Sequence, residues 1–151
     1  MESNTLLSYG ISRHSKNNLR IFEEFIHKLK ELKHLDFILE LLPYYETGNL
    51  ILIHAGVKDN EDWEFQKKDI DSKIFSYKNE LEQIYSFELA NSLNHNVSGK
   101  CIVSGHSPRE VPYISDSRAM LDCGSGRPGR PLIGWVSDTD EVLYSFKQKT
   151  F

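Results

Sequence analysis

Leu50-Ile51-Leu52-Ile53-His54-Ala55-Gly56 is a short apolar run that stops at a histidine and then a glycine. The turn residues Gly48-Asn49 precede it, so the run is read as a buried strand delivering an imidazole to the point where the strand gives way to a loop. A second stretch, Cys101-Ile102-Val103-Ser104-Gly105-His106-Ser107-Pro108, repeats the pattern with a glycine–histidine pair at its end. Helical periodicity lies before the first run and between the two, which makes the chain α/β. In such chains the carboxyl edge of the strands is where ligands bind, so both rings are expected at a site rather than in a core.

Working outward, residues 17–42 carry Leu19, Phe22, Phe25, Ile26, Leu29 and Leu32 at spacings of three and four, a helical stripe with Lys and Glu opposite. Lys33-His34-Leu35-Asp36 interrupts it, giving two helices, and Pro43 stops the second. Residues 71–94 read as a further long amphipathic helix with Asp71-Ser72 as its cap. Its expected buried stripe is Ile74, Tyr77, Leu81, Ile84, Tyr85, Leu89 and Leu93. Four short strand candidates close the chain, Tyr113–Ser115, Arg118–Asp122, Leu132–Val136 and Glu141–Phe146, with Asp138-Thr139-Asp140 as a hairpin turn. The expectation is a mixed sheet with flanking helices ending in a meander.

The 151 residues suit one domain able to bury about two-thirds of its unfolded surface. With 39% hydrophobic and 26% charged residues of mixed sign, the chain is neither disordered nor fibrous. A net charge of −4 without a dense Lys/Arg block argues against nucleic acid and anionic membranes as partners. No apolar stretch approaches the roughly 20 residues a membrane helix needs, and the first residues lack a signal-peptide pattern. Cys101 and Cys123, the two cysteines, are read as reduced core thiols of a cytoplasmic protein.

Neutral imidazole ligates Zn, Mn or Fe, a strand fixes the ring, and glycine lets backbone and ligand approach closely. Either motif alone is better read as a satisfied histidine at a strand end; two in one small sheet shift the balance toward ligation by His54 and His106. Gly56, Gly105 and Ser107 flank them. Two imidazoles cannot fill a shell of four to six, so other groups must join. His14, His27, His34 and His95 read as surface residues without a role. Asp122, before Cys123-Gly124-Ser125-Gly126, either holds a histidine ring or bonds its own loop backbone, and the second is the simpler reading. Arg127 and Arg130, in Gly126-Arg127-Pro128-Gly129-Arg130-Pro131, suit phosphate contact, although loop arginines are more often merely solvated. The absence of a GxSxG elbow disfavours a serine hydrolase, and no residue is assigned as catalytic.

Taken together, His54-Ala55-Gly56-Val57, Ser104-Gly105-His106-Ser107-Pro108 and Met120-Leu121-Asp122-Cys123-Gly124-Ser125-Gly126 resemble the later motifs of calcineurin-like metallophosphoesterases. The branch is that of the bacterial and phage serine/threonine protein phosphatases and the diadenosine tetraphosphatases. Thr5–Gly10 and Leu42-Pro43-Tyr44-Tyr45 resemble neighbouring segments, so the likeness runs from about residue 4 onward. The resemblance implies the carboxyl-terminal part of an αββα sandwich and a site with two divalent metals (Mn, Fe, Zn or Mg), one of them held by His54 and His106. It implies hydrolysis of a phosphorylated protein or a dinucleoside polyphosphate by a metal-activated hydroxide. The family's first three motifs, GDxHG, GDxxDRG and GNHE/D, do not occur here, and residues 58–99 contain no arginine where one is usual near a tryptophan. The expectation is therefore a single partial domain over residues 1–151, inactive alone because it lacks those ligands and active only when an amino-terminal half supplies them. The competing expectation is a degenerate, non-catalytic phosphatase-like interaction protein.

Overall fold

The computed structural model describes residues 4–11, 18–73, 81–93 and 97–145, and the chain divides into two units, Met1–Leu42 and Pro43–Phe151. The first unit contains α1 (Asn4–Ser8), α2 (Asn18–Glu31) and α3 (His34–Glu40). The expected interruption falls at Lys33, whose φ of 58° lies in the left-handed region and ends α2. The buried stripe differs from the expected one. Ile21 and Leu29 are buried and Phe25 and Ile26 half-buried, whereas Leu19, Phe22 and Leu32 are 50–65% exposed. Residues 21, 25 and 29 form one row at a spacing of four, and Tyr9 packs edge-on against Phe25 on that row at 5.2 Å.

The second unit carries the sheet. Pro43 releases the chain into β1 (Tyr44–Glu46), and the turn at Thr47–Asn49 sends it back as β2 (Leu50–Ile53). Thr47 ties that turn through its N–H to Leu50 O at 2.9 Å. Then follow α4 (Trp63–Lys73), α5 (Glu82–Tyr85), α6 (Phe87–Asn91), β3 (Cys101–Ser104), β4 (Tyr113–Ile114), β5 (Arg118–Met120), β6 (Ile133–Val136) and β7 (Glu141–Tyr144). Five strands form a mixed sheet in the order β1-β2-β3-β5-β4, with β2, β3 and β5 mutually parallel and the outer two antiparallel to their neighbours. The expected mixed sheet with flanking helices is what the chain forms.

The tail is not a simple meander. β5 enters the main sheet beside β3, pairing Ser104 with Met120, and only β6 and β7 make a separate hairpin. The reason is burial. Arg118, Ala119 and Met120 are all buried, a strand covered on both faces, which suits a parallel interior position.

The helical region after β2 also departs from expectation. α4 begins at Trp63, where the Asp62 carboxylate accepts from Phe65 N at 3.0 Å and caps the helix. Asp71 and Ser72 lie in its last turn, Ser72 Oγ donating to Asp69 O at 2.8 Å. Ile74 and Tyr77 lie outside the described residues. Downstream there is no continuous helix, because Ser86 is extended (φ −78°, ψ 117°) and its hydroxyl caps α6 through Leu89 N. Of the expected stripe Leu81 is buried and Ile84 and Leu89 half-buried, while Tyr85 and Leu93 are exposed.

The core lies between the sheet and these helices: Ile51, Ile53, Val57, Trp63, Ile70, Leu81, Val97 and Ile102, with Tyr44 packed edge-on to Trp63 at 5.3 Å. On the strand β1, Glu46 accepts from Lys100 at 2.6 Å and Lys67 at 2.9 Å. Those two ammonium groups hold its carboxyl down at about 2, so β1, α4 and the start of β3 are tied together at neutral pH. Cys101 and Cys123 are free and buried, and burial pushes both thiols up. Among the described residues no helix is long and apolar enough to cross a membrane.

Candidate functional site

Because β2, β3 and β5 run parallel, their carboxyl ends share one edge, and the residues that follow them are brought together there. Gly105 N donates to His54 O at 2.9 Å, and a Cβ on Gly105 would stand 3.6 Å from the Asp122 Cβ. His54 Nε2 and His106 Nδ1 are 3.2 Å apart, with ring centroids at 5.1 Å and planes at 70°. The two imidazoles therefore stand side by side at this edge.

The far nitrogen of His106 defines its tautomer. Nε2 lies 3.1 Å from the carbonyl oxygen of Tyr85, which can only accept. Nε2 therefore carries the proton, and in neutral His106 Nδ1 is a bare lone pair aimed at His54 Nε2–H. A carbonyl fixing the ring in this way is the usual outer support of a histidine ligand. The Phe87 ring packs on the His106 ring, with centroids 4.8 Å apart and planes at 45°. His106 itself has a φ of 68°, a strained left-handed conformation for a side chain of this size, and such strain gathers at functional positions.

Glycine is required at position 56. A Cβ there would lie 2.7 Å from Leu89 O, so α6 approaches the His54–Gly56 turn as closely as backbone allows. The turn is held from outside its own strand, with Ala55 N and Gly56 N both donating to Gln83 O at 2.9 and 3.3 Å. Gln66, fully buried, holds the loop that follows. Its amide donates to Lys58 O and Glu61 O and accepts from Lys58 N, at 2.9–3.1 Å.

The remaining expected residues do simpler work. Asp122 accepts from Gly124 N at 2.7 Å, the turn chemistry that was the simpler of its two readings. Ser107 Oγ donates to Asn91 Oδ1 at 3.0 Å, joining the histidine loop to α6. Arg127 is exposed; Arg130 is half-buried and donates to Arg109 O at 3.5 Å. Among the described residues neither arginine makes an ion pair. His14 and His95 lie outside the described residues. His27 is exposed, and His34 Nδ1 shares a hydrogen bond of 2.7 Å with Tyr9 OH, a role in joining the end of α1 to α3 that its surface pattern does not announce.

No protein-family model matches this chain, and no curated protein matches it significantly.

The donor set passes a simple geometric test for a metal. Two ligand bonds of about 2.0–2.1 Å meeting between a right angle and the tetrahedral angle place their nitrogens roughly 2.9–3.4 Å apart. The observed 3.2 Å falls inside that interval. Among the described residues no third His, Cys, Asp or Glu joins the pair to form a cluster.

Sequence reasoning missed Gln83, Tyr85, Phe87 and Arg118. The first three lie on what reads as one long helix, where the break at Ser86 that turns Tyr85 O toward His106 has no Pro or Gly to signal it. Arg118 opens a short strand and would ordinarily be assigned to solvent, yet it is 0% exposed.

Proposed function

We propose that this chain supplies the later part of a metal-dependent phosphoesterase site of the calcineurin-like type, in which His54 and His106 hold one divalent cation of a pair (Mn, Fe, Zn or Mg). The observation that carries the reading is the 3.2 Å apposition of His54 Nε2 and His106 Nδ1 at the ends of neighbouring parallel strands. A bound metal pair supplies Lewis acidity and a hydroxide at neutral pH for in-line attack on phosphorus. The chain's own residues bind and orient. His54 would ligate as the tautomer with its proton on Nδ1 and its Nε2 lone pair free, while the Tyr85 carbonyl keeps the His106 proton on Nε2 and leaves Nδ1 free. Phe87 covers one side of the His106 ring, and Arg127 and Arg130 offer guanidiniums to a phosphate at the same edge. Substrates of this chemistry are phosphorylated proteins or dinucleoside polyphosphates. The sheet described here is the carboxyl-terminal part of an αββα sandwich in this reading.

Two imidazoles need carboxylate partners, and the segments that would bring them, of the forms GDxHG, GDxxDRG and GNHE/D, do not occur in these 151 residues. The reading therefore assigns them to an amino-terminal complement. Coexpression with a segment carrying those three motifs is expected to yield tight Mn²⁺ binding and hydrolysis of p-nitrophenyl phosphate, neither being substantial for the 151-residue chain alone. Rapid hydrolysis by the chain alone contradicts the need for a complement. A stable complex that neither binds Mn²⁺ nor hydrolyses ester points instead to a non-catalytic interaction protein.

A further inference from the structure

Arg118 is the one fully buried charged side chain among the described residues. Burial of a guanidinium without a carboxylate is costly unless its donors are used, and here they reach three carbonyls on three separate segments. Nη2 donates to Ala55 O at 3.0 Å and to Leu89 O at 3.4 Å, and Nη1 to Ile102 O at 3.3 Å. Ala55 is the residue after His54. Leu89 lies on α6, two residues beyond the Phe87 ring that packs on His106, and its carbonyl is the atom that excludes a side chain from position 56. Ile102 sits on β3, which ends at the His106 loop. The three acceptors thus belong to the three elements that place the two imidazoles.

We infer that Arg118 is a positioning residue for the His54–His106 pair, clamping the β2 turn, β3 and α6 so that the two rings present their nitrogens to one point. The inference rests on the proposed function for its meaning, but its geometry needs no metal. A fork of donors is what the position demands. Lysine has one ammonium on a flexible stem and cannot span three carbonyls held by different elements. Desolvation lowers the guanidinium to about 10, so it remains a cation and a full set of donors at neutral pH. Every hydrogen bond found for its guanidinium is made by the two terminal nitrogens.

The test uses the metal-free 151-residue chain with Arg118→Met and Arg118→Lys, reading fold by circular dichroism and the imidazole nitrogens by long-range ¹H–¹⁵N NMR. In the unaltered chain His106 is expected as a single tautomer with its proton on Nε2. Folded R118M is expected to lose that single-tautomer signature at His106, and R118K to fall between the two. His34, bonded to Tyr9 in the first unit, should not change in either. An unchanged His106 spectrum in a folded variant overturns the inference and leaves the proposed function standing. Loss of fold in both variants assigns Arg118 to stability alone and also overturns it. A proton on Nδ1 in the unaltered chain contradicts the arrangement of the rings, and the proposed function falls with it.

Discussion

His106→Asn in the complemented protein is expected to lower phosphoester hydrolysis by about 10²- to 10³-fold, the several kcal/mol that metal-centred charge stabilisation contributes. Asparagine is the informative replacement because position 106 has a φ of 68°, and asparagine tolerates the left-handed region better than most residues. The imidazole is then removed without a new backbone penalty. His54→Ala should cost a similar amount, since His54 Nε2 is the opposite jaw of the same 3.2 Å pair. The double variant should be no worse than either single one, because groups that act as a unit are not additive. Initial rates at saturating Mn²⁺ with circular dichroism as a fold control decide it. Independent, additive losses would mean that the two rings serve different sites.

Trp63→Ala is expected to destabilise the second unit by about 3–5 kcal/mol, the usual cost of emptying a large aromatic site in a core. Trp63 is 1% exposed, packs edge-on against Tyr44, and is surrounded by the central cluster that includes Ile51, Ile53 and Ile102. A domain's whole stability is only about 5–15 kcal/mol, so the loss is a large fraction of it. Urea unfolding followed by intrinsic fluorescence of the remaining tryptophan, Trp135, should show a midpoint shifted far down. A shift worth less than about 1 kcal/mol would place Trp63 outside the working core. The same substitution bears on the site, because Ile53, a member of the same core cluster, leads directly into His54.

Much of this arrangement can be read from the residues, and the limits have physical causes. The strands ending at His54 and His106 are legible because an apolar run with a glycine-bounded end has few other uses, and their parallel pairing follows from the helical stretch between them. The break at Lys33 is legible for a similar reason, as the apolar period fails there. The start of α4 is not, because Gln66, in the middle of its buried face, hides the stripe while satisfying three backbone groups of the preceding loop. β5 reads as part of a meander because pairing order depends on which faces are covered, a tertiary fact that three residues cannot encode. At the site, the two imidazoles are visible in the sequence and their supports are not. The Tyr85 carbonyl is backbone and carries no sequence signal, and Arg118 acts on backbone oxygens that any residue would present.

The central claim is that His54 Nε2 and His106 Nδ1 bind one cation together. X-ray absorption at the zinc edge, on the complemented protein loaded with Zn²⁺, tests it most directly. Two imidazole nitrogens at about 2.0–2.1 Å on one ion, falling to a single one in both His54→Ala and His106→Asn, is the result expected. A zinc shell that contains neither ring, or that keeps its full imidazole count when either is removed, would contradict it.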